Sequence, residues 1–164
     1  MKMKSQMATV GAVVTALILS ACANPNKTVV SPNKENELSQ IKRVCVIANV
    51  KRTPYGLEKN LVKALEKRGI SAIAVNPEIE RQRLYTADCP YNLRYVSAGN
   101  ANTIKKISLI LRTPQYEVAK SSYYLQNEPQ YRQQPDLQQQ TDGVIARLFA
   151  GNTPKPSNTT RSTH

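Results

Sequence analysis

Aromatic and sulfur-containing side chains are scarce in this chain. Its 164 residues include no Trp and a single Phe, Phe149, and its three Met residues all lie within the first seven positions. The rest of the chain therefore has to build an aliphatic core with tyrosines at its margins. The length fits one globular domain with flexible ends rather than two domains.

Side chains on which many active sites depend are scarce as well. The one histidine, His164, is the last residue, so no positioned imidazole is available for Ser-His-Asp or Cys-His catalysis or for a His-based zinc site. None of the six glycines lies in a phosphate-cradling loop. We therefore expect a protein that is not an enzyme and has no catalytic residue, no metal and no cofactor. A carboxylate pair for glycoside hydrolysis is the enzymatic alternative.

Residues 1–21 have the organisation of a bacterial signal peptide. Lys2 and Lys4 form a positively charged start, and Ala8–Leu19 is an apolar stretch of the length expected for a signal-peptide core. A transmembrane helix is the alternative, but the apolar run is shorter than the roughly 20 residues that cross a bilayer. We therefore expect residues 1–21 to be cleaved.

The tetrapeptide LSAC at residues 19–22 resembles the bacterial lipobox, in which the cysteine is acylated and becomes the first residue of the mature protein. Acyl chains on Cys22 would hold the protein on a membrane that it does not span. Ala23, in place of Asp, resembles the pattern of lipoproteins sorted to the outer membrane. We expect a lipid anchor at Cys22 and an outer-membrane location facing the periplasm, where nucleic acid is not a partner.

Cys45 and Cys89 would then lie in an oxidising compartment. Two cysteines in a small domain of that compartment more often form a disulfide than a metal or redox site. We predict a disulfide between Cys45 and Cys89, with two buried free thiols as the alternative.

The two ends of the mature chain lack hydrophobic periodicity. Residues 22–40 comprise the lipidated cysteine and a stretch rich in Asn, Pro, Ser, Lys and Glu, which we interpret as a flexible tether with a reach of roughly 23 Å. Residues 152–164 are polar and predict a disordered tail. The globular domain is expected between them, over residues 41–151.

The first half of that domain predicts a βαβ unit. Arg43–Val50 and Ile70–Val75 are apolar, β-branched runs typical of interior strands. Between them, Thr53 is suited to cap a helix that Gly69 ends. The apolar face of this helix consists of Leu57, Leu61, Ala64 and Leu65.

The second half predicts a meander followed by a helix. Tyr91–Ala98, Thr103–Arg112 and Tyr116–Leu125 alternate in polarity and are separated by turn sequences. An amphipathic helix then runs from Leu137 to Gly151. The order predicts an α+β fold, a two-layer sandwich with both helices on one face of a mixed sheet.

The chain is strongly basic, with a formal net charge of +12. Basic residues of the first helix and of one strand could meet an anionic envelope polymer or lipid headgroups, or could simply be solvated faces. They are Lys59, Lys63, Lys67, Arg68, Lys105 and Lys106. Tyr123, Tyr124 and the Gln-rich stretch to Gln140 could bind a partner protein or form a surface connection of biased composition.

The lipobox, taken with the segment CPYNLRY at residues 89–95, resembles a group of small Gram-negative outer-membrane lipoproteins of unknown function. The order of elements is also similar to the fold of the TolB N-terminal domain and of the periplasmic part of curli-secretion lipoproteins. This resemblance implies a non-enzymatic domain tethered to the cell envelope, and it names no ligand.

These observations predict a lipid-anchored, periplasm-facing binding or assembly module of the cell envelope. Its expected partners are the membrane, through the lipid, and an envelope protein or anionic envelope polymer. An accessory subunit of a secretion or surface-structure machine is one alternative, and a small cell-wall hydrolase is another.

Overall fold

A computed structural model of the chain describes residues 26–53, 55–124, 129 and 136–150. It has the predicted α+β fold, with a βαβ unit, an antiparallel meander and a C-terminal helix. In chain order the elements are β1 (Lys27–Val30), α1 (Glu35–Gln40), β2 (Arg43–Ile47), α2 (Leu57–Glu66), β3 (Ser71–Val75), a 3₁₀ helix (Arg81–Tyr85), β4 (Asn92–Gly99), β5 (Ile104–Arg112), β6 (Glu117–Tyr124) and α3 (Leu137–Ala150).

The strands form one six-stranded sheet in the order β1-β6-β5-β4-β2-β3. The βαβ unit places β2 and β3 in parallel, with Cys45 opposite Ile73, and β4 lies parallel to β2 on its other side. The pairs β4–β5, β5–β6 and β6–β1 are antiparallel. The ends of β2, β3, β4 and β6 therefore lie at the same end of the sheet as the starts of β1 and β5. We call this the tether end, because Asn26 lies there.

One face of the sheet is covered by α2 and α3, which also pack against each other. The strands present every second residue to these helices, for example Leu93 and Tyr95 of β4. On α2, the predicted apolar face of Leu57, Leu61, Ala64 and Leu65 is fully buried, as expected. A fully buried leucine of this kind stabilises the fold by about 1.5–3 kcal/mol, so this face holds the two layers together.

Two element boundaries differ from the prediction. The first strand of the βαβ unit ends at Ile47, and Val50, expected inside it, has 52% of its surface exposed. The predicted capping of α2 by Thr53 is wrong, because the amide groups of Arg52 and Thr53 donate to the carbonyl of Asn49 and form a turn. The helix begins only at Leu57, after Gly56 in the left-handed conformation.

The predicted flexible tether over residues 22–40 is wrong from residue 26 onwards, because that part of the chain belongs to the fold. Residues 27–30 form the edge strand β1, paired with β6 from Lys27 opposite Ser122 to Val30 opposite Ala119. The short helix α1 follows and buries Leu38 in the main core. The folded domain therefore includes residues 26–40 and does not start at residue 41.

Hydrogen bonds to one carboxylate fasten α1 to the sheet. Glu37 accepts hydrogen bonds from the Tyr116 hydroxyl at 2.8 Å and the Tyr91 hydroxyl at 3.1 Å, and pairs with Lys34 at 2.8 Å. The Lys34 ammonium also lies 3.7 Å from the centre of the Tyr116 ring. These contacts explain why a polar segment without hydrophobic periodicity is ordered.

Three predictions fall outside the described residues. They are the signal peptide over residues 1–21, the acylation of Cys22 and the disordered tail over residues 152–164. They stay predictions.

Candidate functional site

The face of the sheet opposite α2 and α3 carries a groove of about 560 Å³. Its floor is formed by alternate residues of β4 and β5, and its wall by the 3₁₀ helix and the residues that follow β2. This volume lies within the range of about 300–1,000 Å³ typical of small-ligand sites. We therefore treat it as the candidate binding site.

Strand register determines the floor of the groove. Arg94 lies opposite Ile110 in the β4–β5 pair, and both point away from the core, since Leu93 and Tyr95 point into it. Val96, the next residue of β4 on the same face, has 56% of its surface exposed. The floor thus combines one guanidinium group with uncovered aliphatic surface.

The wall is held in place by a second, smaller hydrophobic cluster. Leu84 of the 3₁₀ helix packs there with Val75 and with Cys45 and Cys89. The two cysteines form a disulfide, with Cα atoms 5.4 Å apart, that joins β2 to the segment after the 3₁₀ helix. The Leu84 carbonyl also accepts a hydrogen bond of 3.1 Å from the Asn92 side chain of β4. The disulfide and the packing of Leu84 therefore fix the wall to β2 and β3, and the hydrogen bond to Asn92 fixes it to β4 of the floor.

Arginine and tyrosine give the groove its chemical character. Arg81, Arg94 and the exposed Tyr85 line it, and a smaller adjoining cavity of about 110 Å³ adds Arg112. The described lining of both cavities contains no Asp or Glu. Guanidinium groups bind carboxylate and phosphate in bidentate geometry, and an aromatic ring provides a flat apolar surface. The groove is therefore suited to an anionic ligand with apolar faces.

Tyr95 orders the part of the groove that lies closest to the tether end. Its hydroxyl accepts a hydrogen bond of 3.2 Å from the Asn49 backbone amide and donates one of 3.2 Å to Glu58 of α2. Burial raises the pKa of Tyr95 to about 12, so the phenol is neutral at physiological pH. Tyr95 thereby links the turn after β2 to α2 and positions Asn49, which lines the groove.

The basic residues singled out from the sequence do not form one surface. Four of them lie on the helical side of the sheet. Lys59 and Lys63 are exposed on α2. Lys67 pairs with Asp142 of α3, and Arg68 lies 5.8 Å from the centre of the Phe149 ring. Lys106 alternates with the buried Ile107 and so lies on the other face of the sheet.

The proposed partner loop is only partly described. Tyr123 is fully buried in the core, whereas Tyr124 is partly exposed on the opposite face. Residues 126–128 and 130–135 lie outside the described part of the chain, and residues 137–140 belong to α3. The core position of Tyr123 gives it a structural role.

Sequence reasoning missed the groove arginines. Alternation of side chains along a strand puts Arg94 on the face away from Tyr95, and this is the signal that the sequence offers for it. Nothing in the local sequence around Arg81 or Arg112 indicates that the 3₁₀ helix lies over the same part of the sheet. The site depends on long-range packing that periodicity does not encode.

Two further features of the described residues concern metal binding and membrane insertion. Within residues 26–53, 55–124, 129 and 136–150, no three His, Cys, Asp or Glu side chains converge as they would around a metal ion. In the same part of the chain, no helix is both long and apolar enough to cross a bilayer.

The described residues thus define a single-sheet α+β domain with a basic groove on its open face. No protein-family model and no curated protein matches the chain. Solved structures with some similarity include the PelC dodecamer from Paraburkholderia phytofirmans, which is 12% identical, covers 76% of this chain and 94% of the PelC chain, and gives a TM-score of 0.45. A single-substitution variant of that PelC dodecamer has the same identity and coverage and a TM-score of 0.44. The site is therefore interpreted from its own residues.

Proposed function

We propose that this chain is a lipid-anchored, periplasm-facing and non-enzymatic binding module of the cell envelope, and that its groove binds a carboxylate-bearing polysaccharide. The observation that carries the proposal is the set of Arg81, Arg94 and Arg112 around apolar surface, in a described lining free of acidic residues. Anionic polymers are the envelope ligands that such a surface fits by charge.

The details of the groove support a carbohydrate rather than a simple ion. Tyr85, 62% exposed, and Val96 offer apolar surface on which a sugar ring can pack. Asn92 lines the smaller cavity, and its side-chain oxygen has no hydrogen-bond partner among the described residues. That oxygen is buried beneath the cavity surface, so Asn92 serves to hold the wall through its side-chain nitrogen and does not itself contact a ligand.

Titration calorimetry with oligogalacturonate at low salt tests the ligand. The wild-type chain should bind it, with affinity falling as salt rises, and Arg81→Gln combined with Arg94→Gln should weaken binding at least about tenfold. Arg52→Gln removes an exposed charge outside the groove and is the matched control. The proposal is wrong if oligogalacturonate does not bind, if Arg52→Gln weakens it equally, or if single-stranded DNA binds as tightly.

The anchor has an independent test. Mass spectrometry of the chain recovered from bacterial membranes should find an N-terminal peptide that begins with acylated Cys22. An intact, unmodified leader would contradict the lipid anchor and leave the groove without its proposed setting.

The other two predicted functions stay predictions. The accessory-subunit alternative requires an assembly, and light scattering of the full chain would detect a ring. The hydrolase alternative requires a carboxylate pair at a cleft, and the described lining of the groove supplies none.

A further inference from the structure

The folded domain holds the chain firmly from Asn26 onwards. The Asn26 side-chain oxygen accepts a hydrogen bond of 2.7 Å from the Tyr124 amide, and its side-chain nitrogen donates one of 3.4 Å to the Tyr124 carbonyl. The next residue, Lys27, already pairs with Ser122 in the sheet. Asn26 is therefore part of the domain rather than of a tether.

This leaves a very short connection to the lipid. If Cys22 is acylated, as the proposed function requires, only residues 23–25 separate it from Asn26. The four residue-to-residue steps from Cys22 to Asn26, each at most about 3.6 Å long, give a maximal distance of about 14 Å between the two Cα atoms. A domain of this size has a radius of gyration of about 13 Å, so the connection is no longer than the domain's own radius. The tether end is thus held against the bilayer instead of being lifted clear of it.

The corner around Asn26 is basic and carries an aromatic ring. Lys106 lies opposite Tyr124 in the β5–β6 pair, with its ammonium 5.2 Å from the ring centre, and Lys27 and Lys105 are exposed nearby. Segments 26–28, 98–106 and 121–124 contain no Asp or Glu. Asp136, at the start of α3, accepts hydrogen bonds from the amides of Gln138 and Gln139. Its carboxylate thus caps the helix.

Exposed aliphatic residues lie at the same end of the sheet. Val50 and Ile79 follow the ends of the parallel strands β2 and β3 and are 52% and 82% exposed. They lie on the β2–β3 side of the sheet, away from the basic corner at β1, and Glu78 beside Ile79 pairs with Lys51. The same end of the domain therefore offers aliphatic and basic side chains at separate places, and both kinds of side chain suit the headgroup region of an anionic membrane.

We infer that the tether end docks on anionic phospholipid headgroups through its basic corner, which is formed by Lys27, Lys105 and Lys106. The inference rests on the proposed lipid anchor. The domain then keeps a fixed orientation on the membrane and does not move freely on a tether. In this orientation the lysines contact lipid phosphates, and the opposite end of the sheet points away from the membrane.

Lysine acetylation of the lipidated full chain, read out by mass spectrometry, tests this inference. The chain is placed in non-ionic detergent, in phosphatidylcholine vesicles, and in vesicles of phosphatidylcholine mixed with phosphatidylglycerol. In the mixed vesicles, Lys27, Lys105 and Lys106 should react about fivefold more slowly than in detergent. Lys42, exposed before β2 at the opposite end, is the matched control and should keep its rate.

The possible failures are distinguishable. A chain that lacks acyl groups and does not float with vesicles would refute the proposed anchor. A chain that floats while Lys105 and Lys106 remain as reactive as in detergent would refute docking alone. Equal protection in both kinds of vesicle would refute recognition of anionic headgroups, as would equal slowing at Lys42.

Discussion

Gly99 closes the hairpin between β4 and β5 in a conformation that few other residues adopt. Its φ is +151°, and a Cβ atom added there would collide with the backbone carbonyl of Thr103. The turn is further fixed by Asn100, whose side-chain oxygen accepts hydrogen bonds from the amides of Asn102 and Thr103. The turn sequence therefore depends on a glycine at one position and an Asx-type side chain at the next.

We expect Gly99→Ala to lower the free energy of unfolding by about 1–3 kcal/mol, because the backbone must move to relieve the collision. Urea denaturation followed by circular dichroism measures the change. Ala101→Ser in the same exposed turn is the control and should stay within about 0.5 kcal/mol of the wild type. An unchanged urea midpoint for Gly99→Ala would contradict the assigned geometry.

Single residues were predictable where a local rule applied. The pairing of Cys45 with Cys89 was proposed from the compartment and the cysteine count, and the structure contains that bond. The face of Arg94 followed from strand alternation. The neighbours of Arg94 in the groove did not, because Arg81 reaches it through a 3₁₀ helix whose position depends on the burial of Leu84.

At the scale of elements, α1 depends on the ionised state of Glu37. Burial by itself would raise the pKa of this carboxyl group, but hydrogen bonds from Lys34, Tyr116 and Tyr91 outweigh it and hold the pKa below the ordinary value of 4.5. A lowered pKa means that the folded state prefers the carboxylate. Its stabilisation is therefore complete above the unfolded-state pKa and is lost as the pH falls through the lowered, folded-state pKa.

We expect α1 to detach before the rest of the domain when the pH falls from about 5 to about 2. Amide resonances of residues 35–40 in an NMR titration should change first, while those of α2 persist. Glu37→Gln should loosen α1 already at neutral pH and remove this acid-dependent step. The control is Glu35→Gln, which removes an exposed carboxylate from the same helix. In this variant α1 should detach over the same pH range as in the wild type. Simultaneous loss of both helices would contradict the expectation.

The longer elements were predictable and the short ones were not. The apolar face of α2 and the alternation in β4 and β5 extend over enough residues to reveal their period. In contrast, β1 has four residues and α1 has six, which is too short for either element to show a period. Their order comes from pairing with β6 and from contacts to Tyr91 and Tyr116, which lie far away in the sequence. No local sequence pattern indicates contacts with such distant residues.

At the scale of the whole molecule, the Cys45–Cys89 disulfide links stability to the site. It closes a loop with a sequence separation of 44 residues, for which the chain-entropy model gives about 4 kcal/mol of stabilisation. The same bond holds the wall of the groove to β2. Stability and ligand affinity should therefore both depend on it.

We expect Cys45→Ala combined with Cys89→Ala to lower the free energy of unfolding by about 4 kcal/mol and to weaken oligogalacturonate binding. Urea denaturation and calorimetry measure the two effects, and wild-type chain treated with reductant should behave like the double variant. The untreated wild-type chain, passed through the same buffers, is the control. A double variant that kept full stability would contradict the assigned contribution of the bond.

The pairing of β1 with β6 has a consequence for the order in which the molecule assembles. Asn26 and Tyr124 are 98 positions apart, and β1 has no strand partner other than β6 among the described residues. β1 is the first strand of the sheet to be synthesised, yet it can pair only after β6, the last strand, has been made. Loop closure over such a separation is slow. Folding kinetics should therefore show that the backbone amides of β1 acquire protection from exchange last, after those of the other strands.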